Sequence, residues 1–126
     1  MTIAYWCVFA SILLPLLFTA IAKFTGGDYL PKDNLAPRDF LDRLDGYRKR
    51  ANWAQQNTHE SIPAFMAATI IAHQIGGDQN LIDMLAMAYV GLRVVYGFVY
   101  MANIGLLRTV IWTLGVLCTL GMFFTV

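Results

Sequence analysis

Four stretches of this chain are nearly unbroken apolar sequence, and the polar residues gather between them instead of alternating with them. Residues 3–22 carry no charge at all, and Lys23 marks the end of the run. About 20 such residues cross a hydrocarbon core as a helix. The second apolar run, residues 61–75, is too short alone. It reaches sufficient length if its helix begins upstream, near Gly46, and enters the membrane around Asn57. Two further runs follow, so the spans fall at about 3–24, 57–75, 81–103 and 106–124. Gly76-Gly77-Asp78 and Asn103-Ile104-Gly105 leave room only for tight reversals, which makes consecutive spans antiparallel neighbours. The pattern predicts an all-α integral membrane four-helix bundle, with residues 1–126 forming a single domain. Pro15 and Pro63 fall inside the first and second helices and predict local bends there.

Composition agrees with the membrane reading. Hydrophobic residues make up 58% of the chain and charged residues only 13%, with a mean hydropathy of +0.56. Soluble domains carry roughly 25% charged residues. The first span is not expected to be a cleaved leader, because it lacks a basic start and a small-residue cleavage site. Seven of the basic residues lie between Lys23 and Arg50, and the second loop has none. Excess positive charge stays on the cytoplasmic side. The long first loop and the third loop are therefore expected in the cytoplasm, with both termini outside. A net charge of +1 gives no reason to expect a nucleic-acid partner. Cys7 and Cys118 lie inside spans and read as small buried residues. His59 and His73 have no companion ligands at suitable spacing, so no metal site is expected.

Candidate chemistry lies in the polar residues inside the spans. In the second helix Arg50, Trp53, Asn57, Glu60 and Ala64 recur at steps of three and four and share one face. Tyr89, Arg93, Tyr96 and Tyr100 do the same in the third. Folding the hairpin at Gly76-Gly77 pairs these stripes by depth: Glu60 with Arg93, Asn57 with Tyr96, Trp53 with Tyr100, and Arg50 with Asn103. Charges at membrane depth are expensive unless partnered, so Glu60 and Arg93 are expected to form a close ion pair. Arg108 opens the fourth helix near the cytoplasmic end of the same track. Arginines hold carboxylates through paired hydrogen bonds, and such a track suits an anionic, water-soluble ligand meeting an apolar one. A purely structural clasp, with the tyrosines as interfacial anchors, fits the same residues equally well. Tyr5, Trp6 and Trp112 read as membrane anchors or lipid-facing bulk.

The segment RANWAQQNTHESIP, carrying Arg50, Asn57 and Glu60, then RVVYGFVY, carrying Arg93, Tyr96 and Tyr100, and then Arg108, resembles the MAPEG family. These are the membrane-associated proteins of eicosanoid and glutathione metabolism, and the chain looks like a small bacterial-type member. The resemblance implies a homotrimer in the membrane lipids, in the bacterial inner membrane, with glutathione as cosubstrate between neighbouring subunits near the cytoplasmic face. It further implies that Asn57 and Glu60 contact the glutathione backbone, with Arg50 and Tyr96 among the binding residues, and that Arg93 and Tyr100 hold carboxylates or shape the pocket. Arg108, with Tyr100 as second donor, would ionise the thiol for transfer to a lipophilic small molecule or for peroxide reduction. Gln56 and Trp53 stand where glutathione-using relatives often have basic residues. A non-enzymatic membrane scaffold or lipid-binding trimer is therefore the alternative expectation.

Overall fold

A computed structural model describes residues 1–126, which form an all-helical integral membrane bundle. Its elements are α1 (Ile3–Phe24), a 3-10 turn (Pro31–Leu35), α2 (Pro37–Asp42), α3 (Gly46–Gln74), α4 (Gln79–Met101), α5 (Gly105–Gly121) and a final 3-10 turn (Met122–Phe124). α1, α4 and the segment Gly105–Phe124 are long and apolar enough to cross a membrane. α3 has 29 residues, beginning at the upstream glycine that its short apolar half requires. At 1.5 Å per residue it is about 44 Å long, which exceeds a hydrocarbon core of roughly 30 Å. Helices α1 and α3 run uninterrupted through Pro15 and Pro63.

Hydrogen bonds tie each end of the bundle together. At the end holding both termini, Asp83 Oδ1 accepts from the Ala4 N–H at 2.8 Å, satisfying one of the free donors of the α1 N-terminus. Asp78 caps α4, accepting from the Asn80 N–H at 2.9 Å, while its own N–H donates to the Thr125 carbonyl at 2.8 Å. Gly76 takes φ +80°, the left-handed conformation that suits glycine where a helix turns back. At the opposite end Arg48 closes α1. Its Nε donates to the Ala22 carbonyl at 2.9 Å, its Nη2 to the Lys23 carbonyl at 3.2 Å, and both Nη atoms to Asp28. The charge pattern of the first loop conceals the short helix α2, whose Phe40 and Leu41, with the following Leu44, are buried against α1 and α3.

The helices pack unequally, and that inequality makes the site. α1 packs on both α3 and α4, and at one point the fully buried Phe18 lies where a side chain on Gly97 would be. α5 leans almost wholly on α4 and hardly touches α3. Between α3 and α5 there remains a groove with α4 as its floor.

Candidate functional site

Arg93 is the centre of the groove floor. It is only 3% exposed, because α4 turns it toward the core between α3 and α5. Its Nη2 donates to Asn57 Oδ1 at 3.0 Å and to Thr58 Oγ1 at 2.8 Å. Thr58 in turn donates to the Ala54 carbonyl at 2.7 Å, which leaves its oxygen free to accept from the arginine. The guanidinium also lies over the Tyr96 ring, 4.1 Å from the centroid, where the π-face stabilises a cation. Its Nε is buried without a hydrogen-bond partner.

The expected ion pair between Glu60 and Arg93 does not form. The ion pairs of the chain are Arg43–Asp33 and Arg48–Asp28, both in the loop region. Mirror counting about the turn gives equal depth but ignores direction around the helix axis. Glu60 follows Thr58 by two residues, roughly 200° around α3, so it lies on the exposed side while Thr58 points into the core. Asn57, at the edge between the two faces, takes the arginine instead. Glu60 and Arg93 nevertheless line the same space, one on its α3 wall and the other on its floor.

Three adjoining clefts meet at Asn57. The first, about 260 Å³, is the groove itself, with Glu60, Ser61, Tyr89, Arg93 and Trp112 among its lining. The second, about 340 Å³, is bounded by Tyr96, Tyr100, Arg108, Thr109 and Trp112. The third is a shallow depression formed by Trp53, Gln56, Glu60 and Tyr100. Arg108 sits over the Tyr100 ring, 4.4 Å from its centroid, and Tyr100 meets Tyr96 edge-on at 5.7 Å. Both arginines of the site are thus held on aromatic faces, a mode of holding that leaves guanidinium hydrogens for a ligand.

Six of the seven candidate residues are therefore brought together: Asn57, Glu60, Arg93, Tyr96, Tyr100 and Arg108. Arg50 stands apart. Its Nε donates to the Met101 carbonyl at 3.0 Å, close to the Asn103 position that the hairpin pairing gives it, and it closes α3 against the end of α4. Trp53 and Tyr100 come together as paired, with ring centroids 6.3 Å apart. Asn57 and Tyr96 line one cleft. Sequence reasoning missed Thr58, Ser61 and Trp112. Trp112 follows Arg108 by four residues and so shares its face of α5, which was the available signal. Thr58 and Ser61 carried none, being ordinary hydroxyls in a helix. His59 is exposed and outside the clefts.

The arrangement offers a carboxylate on one wall of the groove, a guanidinium on its floor and an amide beside it, with a second guanidinium in the adjoining cleft. It suits a ligand with both an ammonium and carboxylates, extended toward Arg108. A family model described as the MAPEG family matches residues 3–126. No curated protein and no solved structure gives a significant match to the chain.

Proposed function

We propose, starting from the fact that this chain belongs to the MAPEG family, that it binds glutathione and transfers it to lipophilic electrophiles or uses it to reduce lipophilic peroxides. The observation that carries this reading is the unpaired state of Glu60 and Arg93. Both line the groove and neither neutralises the other. A charged side chain at membrane depth is costly without a partner, and the α-amino acid end of glutathione supplies an ammonium for Glu60 and a carboxylate for Arg93. Asn57 lines all three clefts with its carbonyl oxygen engaged by Arg93, which leaves its amide N–H to donate to a peptide carbonyl.

The remaining cation, Arg108, then lies where the thiol end arrives. A positive charge beside a thiol favours the thiolate, the reactive nucleophile. The thiolate sulfur forms a bond to the electrophilic carbon as the leaving group departs with its electron pair. The Tyr100 ring holds Arg108 in place, and the Tyr100 hydroxyl is a second donor to the sulfur. Replacing Arg108 with Ser is expected to lower the rate of conjugation of a lipophilic electrophile by about 100-fold, the scale for losing one preorganised charge donor. Glutathione affinity should fall far less, because the interaction strengthens as the thiol ionises. Equal turnover in the two proteins would remove Arg108 from the mechanism.

The assembly proposed with this function is a homotrimer in the bacterial inner membrane, with the clefts near the cytoplasmic side and both termini outside. Gln56, His59 and Glu60 are exposed on α3 in a single chain, and polar groups at that depth need cover from another copy, not from lipid. Amine-reactive or photo-crosslinking in membranes should yield species up to three chains. A product confined to one chain would contradict the assembly. One observation favours a second reading, a lipid-binding scaffold without glutathione: the shallow cleft around Trp53, Gln56, Asn57, Glu60 and Tyr100 contains an anion and no cation.

A further inference from the structure

The first loop lies at a particular depth. Residues 3–22 of α1 rise about 30 Å, the thickness of a hydrocarbon core, which puts Lys23 at its edge. α2 does not stand far above that edge. Its Phe40 and Leu41, with Leu44, share one buried cluster with Phe18 and Ala22 of α1 and with Ala51 of α3. The loop is thereby held at the level of the lipid headgroups.

Its frame is closely tied. Pro31 and Pro37 open the 3-10 turn and α2. The Leu30 N–H donates to Asp33 Oδ2 at 2.8 Å, and the Asp33 N–H donates back to the Leu30 carbonyl at 2.9 Å. The Tyr29 hydroxyl donates to Asn34 Oδ1 at 3.0 Å, and its ring meets Phe40 and Phe24 edge-on at 4.8 and 5.5 Å. This frame presents Leu35 at 90% exposure, and Phe24 and Leu30 are exposed as well. Lys32 and Arg38 stand three residues to either side of Leu35, and neither is in an ion pair. Asp28 and Asp33 are paired with Arg48 and Arg43, while Asp39 and Asp42 line a polar cleft of about 420 Å³. Apolar tips held out to water are unfavourable. Long basic side chains lay their stems along such tips and reach phosphates with their heads.

We infer that the first loop is an interfacial platform that docks on the phospholipid headgroups of the bilayer the helices cross. Phe24, Leu30 and Leu35 enter the boundary between headgroups and acyl chains, Lys32 and Arg38 meet lipid phosphates, and Asp42 stays in water. The loop joins α1 to α3, so docking fixes the level of both helices in the membrane. This rests on neither the glutathione reading nor the orientation, since no residue of the clefts is used and both leaflets present phosphates.

Nitroxide labels read the depth directly. In a Cys7→Ala, Cys118→Ala background, Leu35→Cys and Asp42→Cys are labelled singly, and the full chain is reconstituted in vesicles of phosphatidylcholine with or without phosphatidylglycerol. Power saturation then compares access by oxygen, which concentrates in hydrocarbon, with access by a water-soluble nickel chelate. The label at position 35 should favour oxygen and the label at 42 the chelate. A label at Leu30→Cys should follow the one at 35. Phosphatidylglycerol should deepen the label at 35. In those vesicles Lys32→Gln and Arg38→Gln should each lower the ratio of immersed to free loop by about five-fold, the scale for one cation at an anionic surface. Chelate access at 35 equal to that at 42 would overturn the inference, because the loop would then stand in water. So would shielding of position 35 from both reagents, which would mean that another protein copy covers it. Immersion indifferent to phosphatidylglycerol and to both substitutions would overturn the pairing of the cations with phosphate.

Discussion

A guanidinium buried to 3% exposure is held here by an amide, a hydroxyl and an aromatic face, all neutral, and keeps its full charge without a carboxylate. That arrangement makes Asn57 a folding residue and leaves Glu60 free for the proposed ligand. Asn57→Ala removes a hydrogen bond to a buried cation and should cost about 1.5–3 kcal/mol in thermal or denaturant unfolding of the detergent-solubilised protein. Glu60→Gln removes an unpaired charge and breaks no ion pair, so it should leave the protein at least as stable as the parent while weakening glutathione binding. A dry Glu60–Arg93 pair would reverse this order, since removing one partner costs roughly 3–5 kcal/mol. Residue spacing made the lining of the clefts legible: Asn57, Glu60, Arg93, Tyr96, Tyr100 and Arg108 all reach them, and Arg50 does not. What it could not give was direction around the helix axis. Counting from Gly76-Gly77 fixed how deep Glu60 and Arg93 lie, and the rotation between Thr58 and Glu60 decided which of them the arginine meets.

Among the elements, the long helices fall where length and hydropathy placed the apolar runs, and α3 extends upstream to Gly46, well beyond the length that spanning alone requires. α2 was not legible. Its buried residues Phe40 and Leu41 are embedded in a run of alternating charges, where a six-residue helix leaves too little periodicity to register. Trp112 reads as a membrane anchor or lipid-facing bulk because α5 is apolar on most sides, and only the loose seating of α5 against α3 makes that ring a cleft wall. The clasp between α1 and α3 has a pH signature. The hydrogen bonds from Arg48 hold the exposed Asp28 carboxyl below its ordinary value, and the same contact raises Arg48. A carboxyl whose value is lower folded than unfolded stabilises above its unfolded value, about 3.9, and loses that contribution as pH falls through the folded value. The melting temperature of the parent protein should therefore decline more steeply below about pH 4 than that of Asp28→Asn. The difference should be small, because Asp28 faces water. Parallel acid limbs would contradict the assignment.

At the scale of the whole molecule, three helices pack as a group and the fourth leans outward on α4, leaving charge, amide and aromatic surfaces along one groove. A lone subunit exposes Gln56, His59 and Glu60 on α3, which is why the proposed trimer and the proposed site belong together: the copy that covers this face also walls the clefts. On the proposed function the charged upper groove takes the water-soluble ligand and the apolar stretch below it the lipophilic one. The proposed function depends on the upper groove taking glutathione. The direct test is calorimetric titration of the purified assembly with glutathione in mild detergent. The account predicts saturable heat approaching one glutathione per chain, lost in Arg93→Met and weakened in Glu60→Gln. No heat from the parent protein at millimolar glutathione would contradict it and leave the lipid-binding scaffold as the better description.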